Sequence, residues 1–532
     1  PPNTPPAGPA PPPPPPARAA GAPPLSQQLG LMGAARRSTL DWFFDSSVRQ
    51  DSAAVVVDLL GSGTGRGVET DYRFYDAEAK LTWDIRPNHR IVLNGVVGDD
   101  RFSADHDRIV SRTDPEQNVH VDDSRDGGAV SARYRYLGRR AFVSTLLYRS
   151  WVANSEWTTN DLRLSVVERQ KDLRYRETGA RIDADYFQSL AHQVRGGLWL
   201  RRRDLDAELF ERATPVGDLV EERRDVEDAG SFDAVMYFQD AWQPSDRVSV
   251  LAGVRAGVYA NGTYIGINPG IFARWSIIPE RLYLRTGVSR QTQSLHRLHD
   301  RFAYRYDLTA AHWLLSSNSV SPGSAWQVGV GTEWAPTEAL GFSVDTYGRA
   351  MTDILEPIDA RGIGQTLVGP GVTARDILRF FRPSQGRAVG VEIAARAQHG
   401  AWLAGLSYAL SRSEVRLKGT ADWRLGMYDR PHVLSTLLQF QHDGFLATAR
   451  LSVQSGWPNA TARHSTETMF DVSAGYRVEW KGARLEIRAQ ALNLPAETFA
   501  PPQSGSAGDS SFLATDVLLR RVLPIVSITA SW

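Results

Sequence analysis

From about Ser38 to the end of the chain, apolar and polar residues alternate with a period of two, the signature of strands with two chemically different faces. The segment from Phe470 is the clearest: Phe470, Val472, Ala474, Tyr476, Val478 and Trp480 share one face, and Asp471, Ser473, Gly475, Arg477, Glu479 and Lys481 the other. The pattern resumes after Gly482 with Leu485, Ile487, Ala489 and Ala491 against Arg484, Glu486, Arg488 and Gln490. Equivalent stretches lie at Ala79–Ile85, Ala180–Tyr186 and Phe445–Val453. One face suits lipid and the other water, but a soluble sandwich shows the same alternation.

Connection lengths separate the two architectures. Tight turns are expected near Pro87, Gly138, Ser189, Pro244, Pro279, Pro336, Gly400, Asp443 and Gly482. Between them, segments around 99–127, 202–230, 291–322, 356–385 and 496–515 are long, polar and rich in Gly, Pro and charge. Short turns on one side and long loops on the other are the asymmetry of a bacterial outer-membrane barrel, whose turns face the periplasm. The chain therefore reads as all-β: a transmembrane antiparallel β-barrel of about 20–22 strands, spanning 38–532. Nine hairpins plus a first strand near 47–60 and a last near 520–532 make twenty. Tryptophans near strand ends, such as Trp83, Trp242, Trp334, Trp402 and Trp480, fit the interfacial girdles of such a barrel.

Residues 1–37 are different. Thirteen of the first twenty-four residues are Pro, including the run Pro11, Pro12, Pro13, Pro14, Pro15 and Pro16. Such a segment cannot supply a strand or helix, so it is expected to be an extended arm in the periplasm, either a spacer or a contact for a partner. The 532-residue chain has no Cys, which excludes thiol chemistry, cysteine-held metals and disulfides. Sixty acidic residues balance sixty basic ones, so no global field favours nucleic acid. No apolar run approaches the roughly 18 residues of a membrane helix, so any crossing must be made by strands.

Several phrases, in order, resemble the barrel of TonB-dependent receptors. Tyr237-Phe238-Gln239-Asp240-Ala241-Trp242 followed by Val248–Arg255 is similar to that family's mid-barrel hairpin. Gln327–Trp334, Gly386–Glu392, Tyr428-Asp429-Arg430-Pro431-His432, Ser455-Gly456-Trp457-Pro458 and Ala491-Leu492-Asn493-Leu494 follow in the family's sequence. The last strand sets Val526, Ile528, Ala530 and Trp532 against Ser527, Thr529 and Ser531. This resembles the signal read by the barrel-assembly machinery, and implies that machinery and outer-membrane lipid as partners.

Receptors of this family carry a globular plug ahead of the barrel, and the forty-odd residues before this one hold none; the expectation is a plugless barrel. A lumen bounded by some twenty strands is too wide for its own side chains to fill. An inward-folded loop, a separate plug polypeptide or a traversing partner is therefore expected to fill it. The first functional expectation is a transport or export pore with a partner chain in the lumen. The second is a structural anchor for an envelope machine concerned with secretion, motility or appendages. An enzyme is disfavoured, since no nucleophile-and-base arrangement appears, and no cofactor is implied. The acidic group Asp114, Glu116, Asp122, Asp123 and Asp126 lacks the spacing of a calcium loop and reads as solvated surface. His432 reads as structural, at a strand start.

Overall fold

The computed structural model describes residues 29–37, 68–108, 117–162, 165–215, 221–299, 311–357, 381–426, 428–458, 463, 465–480, 483–495 and 523–531. In chain order its strands are β1 (Leu29–Arg37), β2 (Val68–Arg86), β3 (His89–Arg108), β4 (Gln117–Leu137), β5 (Ala141–Leu162), β6 (Ser165–Phe187), β7 (His192–Pro215) and β8 (Glu221–Ser245). There follow β9 (Val248–Tyr259), β10 (Tyr264–Ile278), β11 (Leu282–Gln293), β12 (Leu295–His299), β13 (Ala311–Leu315), β14 (Gly323–Thr337), β15 (Leu340–Pro357) and β16 (Phe381–His399). The last are β17 (Trp402–Leu417), β18 (Arg424–Leu425), β19 (His432–His442), β20 (Phe445–Gln454), β21 (Glu467–Trp480), β22 (Ala483–Leu492) and β23 (Leu523–Ser531).

Twenty of these strands form one antiparallel meander in which each pairs with its sequence neighbour, from β1 to β23. The two-residue β18 pairs at the upper end of β17, while β12 and β13 form a separate two-stranded sheet. All nine expected tight turns separate strands of this meander, at one end of the wall. Lys481 and Gly482, in the ninth, lie outside the described residues.

The alternation sets the two faces. On β14, Trp326, Val328, Val330 and Trp334 are exposed on the outside, with Gln327, Gly329, Gly331 and Glu333 between them pointing inward. The register carries the apolar face across the wall: Val330 pairs with Thr346, Thr346 with Val391, and Val391 with Leu410. An isolated strand could not bury this face; a wall standing in lipid has no need to.

Two expectations need correction. The first described strand is β1, inside the segment assigned to the extended arm, and it pairs with β2 from Leu29↔Trp83 to Arg37↔Tyr75. Its sequence, Leu-Gly-Leu-Met-Gly-Ala-Ala, carries too little polar contrast for the alternation to show, although Leu29 and Leu31 sit on the outer face beside Trp83 and Leu81. The strand expected near 47–60 lies outside the described residues, as do Pro11–Pro16.

The second correction concerns the segments around 99–127 and 202–230, which are mostly strand. β2 to β8 run from 19 to 25 residues each, about twice what a membrane span needs. Above the lipid both faces of the wall are wet, so the apolar alternation disappears and exposed cross-strand ion pairs accompany the backbone ladder instead. Arg176 on β6 meets Asp206 on β7 at 2.6 Å, and the register continues up to Ser165↔Pro215.

Candidate functional site in the barrel lumen

The connection between β11 and β14 turns into the barrel. Facing outward on β7 and β8 are Leu198, Leu200, Phe232, Met236 and Phe238, all exposed. On the opposite, inner face of the same strands, Arg201, Arg203 and Leu205 on β7 lie beside Asp233, Ser231 and Ala229 on β8. The β12–β13 hairpin packs on this inner face.

Its apolar seat joins Leu315 of β13 to Leu173 of β6 and Leu205 of β7, with Tyr175, Ala207, Ala229, Leu295 and Trp313 around them. The Trp313 and Tyr175 rings lie 5.6 Å apart. Burial of Leu173, Leu205 and Leu315 stabilises the seat by roughly 1.5–3 kcal/mol per side chain.

Below this patch lies a polar knot. Asp233, with none of its surface exposed, accepts hydrogen bonds from Arg201 Nη2 at 2.8 Å, Arg203 Nη2 at 2.6 Å and Ser294 Oγ at 2.9 Å. Its other oxygen accepts the backbone N–H of Ala260 at 3.2 Å. Ala260 and Asn261 sit in a left-handed turn between β9 and β10, with φ of 52° and 59°. Asn261 fastens that turn to β8, its Oδ1 accepting the N–H of Phe232 at 2.8 Å. One carboxylate thus ties together β7, β8, the β9–β10 turn and the entry to the hairpin. Two guanidinium groups on one carboxylate leave the knot with excess positive charge, and Glu177 lies close by on β6. Glu177 accepts from Tyr148 at 2.5 Å and Tyr175 at 2.7 Å, and Trp199 donates to the Tyr148 hydroxyl at 2.9 Å.

The inner face elsewhere is charged and wetter. Arg285 on β11 bridges Glu333 on β14 and Asp345 on β15, each at 2.6 Å, and all three side chains are about a third exposed. On β2, β3 and β1, Asp84 pairs with Arg90 and Asp76 with Arg36.

The sequence-derived candidates fall in different places. In the last strand, Val526, Ile528 and Ala530 pair in register with Ala489, Ile487 and Leu485 of β22; Trp532 lies outside the described residues. His432 starts β19 with its Nδ1 2.7 Å from the Tyr408 hydroxyl, a structural role. Its neighbours in the same phrase brace loops: Asp429 is ion-paired with Arg463, and Arg430 with Glu467 at 2.7 Å. Of the acidic group, Asp122, Asp123 and Asp126 line an open depression with Asp99, Arg73 and Arg101, whose basic side chains offset part of the charge. Asp114 and Glu116 lie outside the described residues, among which no cluster of three or more metal-ligating side chains occurs.

The lumen knot was not found from the sequence. Its only trace is Trp313-Leu314-Leu315, an apolar run within a segment otherwise read as polar loop, and Arg201 and Arg203 spaced to share one face of a strand.

With this geometry, the relatives become informative. The solved structure of the ferric citrate transporter FecA is similar with a TM-score of 0.60 at 13% identity, over 87% of this chain and 70% of that one. The copper transporter OprC gives 0.59 at 13% identity, over 87% and 71%. The outer-membrane transporter YddB from Escherichia coli gives 0.55 at 11% identity, over 86% and 68%. At such identities the likeness concerns the fold alone. No curated protein matches the sequence. The family model described as TonB dependent receptor-like, beta-barrel, matches residues 53–494, and the chain belongs to that family of outer-membrane barrels.

Proposed function

We propose that this protein is a transport or export pore of the outer membrane whose remaining lumen is filled by a separate polypeptide. The supporting observation is the unequal lining of the lumen. Against β6–β8 the inner face is covered by the β12–β13 hairpin, whereas the Arg285–Glu333–Asp345 group on β11–β15 keeps about a third of its side-chain surface open. Alternating charges spaced along a wall suit an inserted polypeptide with its own charged side chains, since each wall group keeps capacity for another partner. In this reading the Pro-rich arm, with Pro11–Pro16, reaches into the periplasm and contacts that partner, and β23 carries the assembly signal.

Planar-bilayer recording of the purified chain tests the proposal, together with a mild-detergent pull-down from native membranes. Large, stable openings that close when a co-purifying polypeptide is added back are the expected result. A silent barrel, or one isolated with no stoichiometric polypeptide, would show that the hairpin and loops occlude the lumen unaided.

A further inference from the structure

Outside the barrel, the wall from β11 to β17 carries a row of residues just above its apolar band. The register places Arg290 opposite Trp326, Trp326 opposite Ala350, Ala350 opposite Arg387, and Arg387 opposite Glu414. This is the outer face, because the same strands continue downward through the exposed Val328, Val330, Val389, Val391 and Leu410. From Trp402, at the turn end of β17, ten residues of tilted strand rise about 25 Å to Arg412. That is the height of the apolar band of an outer-membrane barrel, so Arg387 and Arg412 stand at the level of the outer-leaflet headgroups.

The side chains there are held ready. Arg387 and Arg412 both bond Glu414, at 2.6 and 2.9 Å, yet about half or more of each guanidinium-bearing side chain is exposed. Trp423 is covered by two guanidinium groups, with Arg387 Cζ 4.3 Å and Arg416 Cζ 4.6 Å from its ring centroid. Arg416 is also anchored to Gln385 at 2.8 Å. Arg387 and Arg412 share the Glu414 carboxylate and Arg416 is held by a neutral amide, which leaves positive charge on preorganised forks. Stacking on an indole and pairing with a buried carboxylate fix the guanidinium planes and leave N–H donors directed outward. Fixed forks beside lipid are the geometry for bidentate binding of phosphate.

We propose that Arg387, Arg412 and Arg416, framed by Trp423 and Trp326, form a docking site for the phosphorylated headgroup of an outer-leaflet glycolipid. The acyl chains would lie along the apolar strip of Val389, Val391 and Leu410 beneath. Arg290, three strands away in the same row and so about 14 Å distant, extends the cationic surface for a headgroup with phosphates at both ends.

Native mass spectrometry of the detergent-solubilised full chain, supplied with bisphosphorylated lipid A, its dephosphorylated form or phosphatidylglycerol, tests this. The wild type is expected to retain the bisphosphorylated glycolipid at least tenfold better than either other lipid. The triple variant R387Q/R412Q/R416Q should lose that preference, while R73Q/R101Q, which removes two arginines from the outer wall on β2 and β3, should keep it. Heat-modifiable migration in SDS gels confirms that each variant is folded. Equal retention of the three lipids by the wild type overturns the proposal without any variant, and so does unchanged retention by a folded triple variant.

Discussion

Arg203 on β7 donates to Asp233 on β8 at 2.6 Å, and solvent reaches 1% of the arginine side chain and none of the aspartate. Such a pair adds little net stability when intact, but removing one partner leaves a buried charge without compensation, at about 3–5 kcal/mol. Asp233→Ala should therefore unseat the β12–β13 hairpin. Because the twenty-strand ladder does not pass through this carboxylate, the barrel should stay folded. Hydrogen exchange is the measurement: protection should fall across 295–299 and 311–315 and persist in β7 and β8. Asp345→Ala, at a pair left about a third exposed, should change stability by only about 0–1 kcal/mol.

Acidification should loosen the same hairpin. His296 on β12 is buried, with Nε2 3.2 Å from Ser316 Oγ, and faces Arg203 of β7 and Asp353 of β15. Burial pushes its pKa below the ordinary value of 6.5; a hydrogen bond with the Ser321 backbone pulls it partly back, and the Arg203 charge lowers it further against a weaker opposing pull from Asp353. A depressed histidine pKa means that the unseated hairpin binds the proton more tightly. Seating is therefore fully stable above about pH 6.5 and weakens as pH falls below it. The chain has no cysteine, so a single Cys at Leu298 can carry a spin label. The label should gain mobility between pH 7.5 and 5.5, and His296→Gln should abolish that dependence; equal spectra at both pH values in the wild type would refute it.

How much of this was legible from sequence depends on which contrast the environment imposes. Within the membrane, lipid on one side and water on the other impose alternation. Phe470–Trp480 and its partners could therefore be read residue by residue, and the turns that end them could be placed. Above the membrane that contrast vanishes. Asp206 and Arg176 are then merely charges in a polar stretch, and only their register reveals a strand pair. Asp233 shows a third situation: beyond its neighbour Ser231, its polar contacts come from residues 201, 203, 260 and 294, gathered by the wall's curvature, which no local pattern encodes.

Two inward tyrosines lie across glycines, and this close approach predicts strain. A Cβ on Gly179 would meet the Tyr148 ring at 2.5 Å, and one on Gly197 would meet the Tyr237 ring at 2.5 Å. Gly179→Val should swing Tyr148 away from both Glu177 and Trp199, at a cost of about 1–3 kcal/mol. Gly230, where the nearest atom to a new Cβ is the end of the Asp204 side chain at 3.5 Å, should accept Ala with little change. Urea unfolding in detergent micelles compares the two.

The lipid-facing band should price charge by depth. Val330 lies midway between Trp326 and Trp334, and all three are about half exposed on the outer face. Val330→Arg should cost about 2–4 kcal/mol, and Trp326→Arg, at the upper rim, about 0–1 kcal/mol beyond the loss of the ring. Reversible unfolding from phospholipid vesicles measures both, and equal costs at the two depths would contradict the placement of the band.

The last strand separates an assembly role from a structural one. β23 pairs with β22 over nine residues, from Leu523↔Leu492 to Ser531↔Arg484, so its backbone belongs to the wall whether or not its side chains are also read as a signal. If Val526, Ile528, Ala530 and Trp532 form that signal, Trp532→Ala should reduce the amount of assembled barrel in cells several-fold. Refolding of the purified variant into detergent should be unchanged, because the ladder that holds β23 in the wall already runs from Leu523 to Ser531. Heat-modifiable migration on gels reports both quantities. Equal losses in cells and in detergent would assign the residue to wall stability alone, whereas a loss confined to cells is what recognition by the assembly machinery requires.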